Sequence, residues 1–179
     1  MTGTRKGHVR KMAARGTGAV LVALLFTPAA LAAQSASVTP DPADAEAGAI
    51  ATITALFDAM RASDAETMRG LFAGQVAGFP SSYVNQENDP VIRFGDLDEF
   101  MESVASAEPG SLDEQIVVRD VLVDDNLVTV VTPYTFTYQG TLSHCGVNVF
   151  LIARQGEDWK VVGLADTRRR AGCEGWLDE

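Results

Sequence analysis

The sequence predicts an α+β domain in which an antiparallel sheet packs on helices that precede it. Three observations carry this. Residues 116–170 read as four strands in a row, rich in Val, Thr, Tyr, Phe and Ile and divided by Asp124-Asp125-Asn126, Gln139-Gly140-Thr141 and Gln155-Gly156-Glu157-Asp158. Strands joined by turns this short pair as antiparallel neighbours. Upstream, apolar residues recur at helical spacing and supply a cover for one face of that sheet.

The elements follow in order. Arg5, Lys6, Arg10, Lys11 and Arg15 precede a short apolar core from Ala19 to Phe26, and Ala30-Leu31-Ala32 places small residues at both cleavage-determining positions. Residues 1–33 therefore read as a secretory signal peptide cut near Ala32 or Ala33. The alternative, a transmembrane anchor, needs roughly 20 apolar residues, and Pro28 interrupts this stretch. Residues 34–43 form a Pro- and Ser-rich linker, and 44–179 form the domain. A helix over 43–62 presents Ile50, Ile53, Phe57 and Met60 on one face. Ser63 with Glu66, or Asp64 alone, caps a second helix over 65–72. Residues 75–79 are a possible strand, Pro80-Ser81-Ser82 reads as a turn, and Val91-Ile92-Arg93-Phe94 as a short strand. Asp96 and Glu99 have capping-box spacing at a third helix, whose apolar side is Leu97, Phe100, Met101 and Val104 and which Pro109-Gly110 ends. The four strands come last.

Five of the 14 Lys and Arg and none of the 24 Asp and Glu lie in residues 1–33. The remainder sets nine basic against 24 acidic side chains, a formal charge of −15. Such a surface repels a phosphate backbone and argues against a nucleic-acid partner. After signal cleavage nothing points to a membrane. Cys145 and Cys173 both follow the leader, and an oxidising compartment, periplasmic or extracellular, permits a bridge between them. If the last two strands pair through Gly156-Glu157, Cys145 stands opposite Arg168, and a short reversal of the tail returns Cys173 to it. The alternative is two free thiols. One His and two distant Cys do not make a metal site, and no cofactor fingerprint occurs.

Two local patterns carry a family resemblance. Ala49-x-x-x-Ile53-x-x-Leu56-Phe57-Asp58-Ala59-Met60-x-x-x-Asp64-Ala65-Glu66-x-Met68-x-x-Leu71-Phe72 looks like the opening helix pair of the nuclear transport factor 2-like (NTF2-like) superfamily, which includes the SnoaL-like domains. Gly156-Glu157-Asp158-Trp159-Lys160-Val161-Val162-Gly163 looks like its last hairpin. The resemblance spans 44–170 and implies a cone-shaped α+β barrel with a pocket, often in homodimers. It also implies a pocket wall to which Phe57, Met60, Tyr134, Tyr138, Asn148 and Trp159 are assigned as ligand-binding residues. Many relatives carry an Asp just after the second helix; Ala73-Gly74-Gln75-Val76 supplies no carboxylate there.

Two residues are candidates for catalysis. His144, the one histidine after residue 33, has a normal pKa near neutrality; otherwise it is a strand-end residue. Asp166 is an acid candidate if it enters the interior; otherwise it pairs with Arg168 or Arg119. Asn148 shares a strand face with His144, Gly146, Phe150 and Ile152, and needs a ligand or a backbone partner there. Tyr134, Phe136 and Tyr138 form an aromatic stripe of the kind more often found in a core or an interface. Arg168-Arg169-Arg170 is a solvated edge or an anion site. Three functions remain open: a homodimeric binder of a small apolar or aromatic molecule, paired through the outer sheet face; a SnoaL-like isomerase, dehydratase or cyclase; and an assembly module that docks another exported protein.

Overall fold

The computed structural model describes residues 39–74, 76 and 79–178, and the elements follow the expected order. The leader lies outside the described residues. Helix α1 (Pro42–Arg61) begins where Asp41 accepts the Ala43 N–H at 2.9 Å, with Pro42 in the first turn. Its buried face runs Ala45, Ala49, Ile53, Leu56, Phe57 and Met60. Ala49, not Ile50, completes that face, so the stripe is rotated slightly from the expected one. Asp64 caps α2 (Ala65–Gly70) by accepting from Thr67 N–H, and Ser63 takes a left-handed φ of 59°. Asp96 caps α3 (Leu97–Ala105) through the N–H groups of Asp98 and Glu99.

The sheet has seven strands: β1 (Phe79–Val84), β2 (Pro90–Gly95), β3 (Leu112–Ile116), β4 (Asp120–Asp124), β5 (Leu127–Tyr138), β6 (Thr141–Gln155) and β7 (Asp158–Arg168). Its order is β2-β1-β7-β6-β5-β3, with β4 also on β5. The last four strands pair as sequential antiparallel neighbours.

Three features depart from the sequence reading. Of the strand expected over 75–79, residues 75, 77 and 78 lie outside the described residues. β1 starts at Phe79 and continues through Pro80-Ser81-Ser82, so that triplet is not a turn. Pro80 is the second residue of β1 and precedes Ser81, where pairing with β7 begins, so its missing N–H takes nothing from that pair. Secondly, β1 pairs parallel with β7, through Ser81 opposite Asp166 and Tyr83 opposite Arg168, which makes the sheet mixed. Thirdly, β3 was not foreseen. It covers the Tyr134–Tyr138 half of β5 while β4 covers the Leu127–Val131 half. The edge changes hands at Pro133, which has no N–H to offer.

A bulge lies opposite Leu151 and Ile152, which face Gly163 and Val161 respectively. It turns Val161 into the core in place of Val162 and shifts all later pairs by one residue. Cys145 therefore bridges Arg169 rather than Arg168, and the Cys145–Cys173 disulfide closes beyond that pair. The core lies between α1 and the inner sheet face, where Phe57 meets Phe150 edge-on at 6.0 Å.

Candidate functional site

Strand alternation aims one face of β3, β5, β6 and β7 at the helices. Past the end of the apolar core this face becomes polar. A cavity of about 200 Å³ opens there. Its apolar wall is Leu56, Phe57 and Met60 of α1, Phe79 of β1 and Phe100 of α3. Its sheet wall carries Glu114, Tyr134, His144, Asn148, Asp166 and Arg168.

The polar groups form two linked sets. Asn148, 5% exposed, donates Nδ2–H to Glu114 Oε1 at 2.8 Å. Glu114 keeps some accessible surface because it lines the cavity, yet burial of its carboxyl pushes the pKa up to about 8. The Asn148 hydrogen bond opposes that rise and the nearby Asp166 charge adds to it. In the second set the Asp166 carboxylate accepts from Ser81 Oγ, from Tyr134 Oη at 3.1 Å and from Arg168 Nε at 2.6 Å. Tyr134 Oη also lies 2.9 Å from the Thr167 carbonyl. Burial, with Asp166 and Glu114 adding to it, raises the Tyr134 pKa and keeps this phenol protonated.

His144 stands between these sets and the β6 end. Its ring meets Tyr134 edge-on at 5.7 Å and Phe136 at 5.0 Å, and Nδ1 lies 3.1 Å from Ser143 Oγ. Burial lowers its pKa to about 4; Arg168 and Arg170 push the same way and Asp166 opposes them. The imidazole is neutral at pH 7.

The structure thus brings His144, Asp166, Asn148, Tyr134, Phe57 and Met60 to one cavity. Tyr138 and Trp159 do not line it. Tyr138 follows the irregularity between Phe136 and Thr137 and is half exposed at the end of β5. Trp159 packs on α1, where a Cβ at Gly48 would come within 2.4 Å of its ring. The Arg168 partner anticipated for Asp166 is present, and Arg119 is not among its partners. Glu114 is the functional group that the sequence reading missed. Leu112-x-Glu114-x-Ile116 has strand alternation, and that signal could have found it.

No family model matches the sequence, and no curated protein matches it. Solved structures do match in shape. An NTF2-like protein of unknown function from Shewanella baltica superposes with a TM-score of 0.55 at 10% identity, over 74% of this chain and 99% of its own. One from Silicibacter pomeroyi gives 0.55 at 13% identity, over 73% and 100%. The fold is NTF2-like. A protein from Nostoc punctiforme with a cystatin-like fold gives 0.53 at 8% identity, over 70% and 92%. At these identities the NTF2-like likeness concerns architecture and leaves chemistry to the site itself.

Proposed function

We propose that this is an exported NTF2-like domain that binds a small, largely apolar molecule in its cavity. One polar atom of the ligand would face Glu114, Tyr134, Asn148 and Asp166. The observation that carries this reading is the division of the cavity: helices and β1 supply a hydrocarbon wall, and the sheet supplies a few convergent polar groups. The volume equals about six or seven waters at roughly 30 Å³ each, which suits a single ring or a short chain. Export is supported by the leader and by the disulfide, and amino-terminal sequencing of the secreted or periplasmic protein should begin after Ala32 or Ala33. A thermal-shift series of small aromatic and aliphatic ketones and alcohols tests binding. Saturation at about 100 times Kd stabilises by about 2.7 kcal/mol, a shift of several degrees. A series with no shift at all rejects the reading.

One observation favours catalysis as a second reading: the buried, protonated Glu114 beside a neutral His144. An acid and a base held in opposite states at one pH suit an isomerase or dehydratase. Exchange of carbonyl-adjacent hydrogens in D2O, abolished in Glu114→Gln with binding retained, is its expected signature. Equal exchange in both proteins removes it.

A further inference from the structure

A second cavity, of about 440 Å³, adjoins the first and shares His144 and Arg168 with it. Its wall contains Arg93, Arg168, Arg169 and Arg170, together with the hydroxyls of Ser81, Tyr83 and Ser143, and no carboxylate. Four of the nine Lys and Arg that follow residue 33 thus meet at one place, in a chain segment of formal charge −15. Like charges gather at a cost unless something offsets them. The parallel β1–β7 pair creates this gathering. It sets Tyr83 against Arg168, while Ser81 stands opposite Arg93 on its other side.

Two of the four arginines are restrained. Asp166 holds Arg168 by its Nε. Arg169 stacks on Trp176 at 3.5 Å, and that indole donates its N–H to the Gly146 carbonyl. Arg93 and Arg170 have no ion pair among the described residues. The chemistry on the other side is opposite in sign: the first cavity holds the Asp166 carboxylate, which disfavours a negative ligand group. An anion therefore has one favourable place, outside the apolar cavity and against the arginines.

We infer that the second cavity is an anion site, and that the ligand class is a small amphipathic anion. Its apolar body occupies the first cavity, and its carboxylate or phosphate head meets Arg93, Arg168 and Arg170. This inference names the ligand of the binding reading above and rests on it for the apolar half. Arginine suits such a head because its planar donors match oxyanions.

Hexanoate, hexan-1-ol and inorganic phosphate are the probes, titrated by calorimetry at low ionic strength. The ring signals of His144, which lines both cavities, are followed by NMR. Hexanoate should bind at least about tenfold more tightly than hexanol, since one charge-assisted contact is worth roughly that factor, and should move the His144 signals. Arg93→Gln with Arg170→Gln, two exposed changes, should erase that advantage and leave hexanol affinity and the circular dichroism spectrum unchanged. Hexanol binding as tightly as hexanoate would overturn the anion site and leave the apolar cavity standing. Phosphate binding as well as hexanoate, with both lost in the double variant, upholds the anion site and sinks the apolar half. No binding by any probe rejects both.

Discussion

Glu114 and His144 make opposite demands on the folded state. In the fold the Glu114 pKa rises from 4.5 to about 8. Between those values the native chain holds a proton that the unfolded chain has lost, so stability falls as pH rises through the window. His144 falls from 6.5 to about 4, so there the unfolded chain holds the extra proton and stability falls as pH drops. The two slopes cancel between about 4.5 and 6.5, and the decline above 6.5 belongs to Glu114. Glu114→Gln copies the protonated side chain and keeps an acceptor for Asn148. It should flatten the alkaline limb of a Tm-versus-pH curve and raise stability at pH 9 by up to a few kcal/mol, at roughly 1.36 kcal/mol per unit of pKa. An unchanged alkaline limb would show that Glu114 is not the buried acid described here. Asp166 accepts from three donors, Ser81, Tyr134 and Arg168. Asp166→Ala leaves Ser81 and Arg168 without this acceptor, while Tyr134 keeps the Thr167 carbonyl, and should cost about 1–3 kcal/mol in denaturant unfolding; the lower end applies because Arg168 is half exposed. At this scale the sequence announced His144, Asn148 and Asp166 through simple alternation on two strands. Glu114 was harder to see, because the polar Asp113-Glu114-Gln115 triplet reads as a solvated loop and masks the weak Leu112-x-Glu114-x-Ile116 alternation.

Among the elements, the β6–β7 pair decides where the polar groups meet. Its bulge shifts the later register by one residue and places Asn148 opposite Asp166 and Cys145 opposite Arg169. Turn residues and hydrophobic alternation gave the two strands but not the bulge, since an extra residue leaves little trace in composition. The same limit hid β1, where a proline inside a strand argued for a turn. The helices were more legible because Asp64 and Asp96, both named as caps from the sequence, do cap α2 and α3; the Asp41 cap of α1 lay hidden in a stretch that reads as linker. Beyond the bulge the strands come very close. A Cβ on Gly146 would fall 1.8 Å from the Thr167 carbonyl oxygen, which is backbone and cannot rotate away. Gly146→Ala should therefore part the strands at that carbonyl and break the Tyr134 contact with it. A loss of about 1–3 kcal/mol is expected in denaturant melts, with weaker ligand binding. The disulfide acts one residue earlier. It closes a 28-residue separation and holds the tail that carries Arg169 and Trp176. Cys145→Ala with Cys173→Ala should cost roughly 3.6 kcal/mol by loop entropy and expose Trp176, seen as a red-shifted fluorescence maximum. An unshifted maximum would mean that the tail is held without the bridge.

For the whole molecule, the side of the sheet away from the helices remains to be covered. Val149 and Leu151 on β6 are 39% and 41% exposed there, and Ile92 on β2 is 66% exposed. Val147 and Ala165 join Val149 and Ile92 along a shallow groove. Contiguous apolar surface of this kind commonly marks an interface, and we propose that a second copy covers it. A two-fold axis would set each Val149–Leu151 ridge against its mate. The pairing then brings together two chains of formal charge −15 each, so apolar burial must outweigh mutual repulsion. Salt screens the repulsion and spares the burial. Dimerisation should accordingly tighten as NaCl rises, while hexanoate binding at the arginines should weaken over the same range. Light scattering and calorimetry on one salt series measure both. Val149→Asp with Leu151→Asp should give a monomer that still binds, because like charges then face each other across the axis and the ligand cavity lies on the opposite face. A wild-type monomer at high micromolar concentration and high salt would exclude the dimer. Affinities that move together with salt would mean that one electrostatic term governs both events, contrary to the separation of an apolar outer face from a basic inner rim.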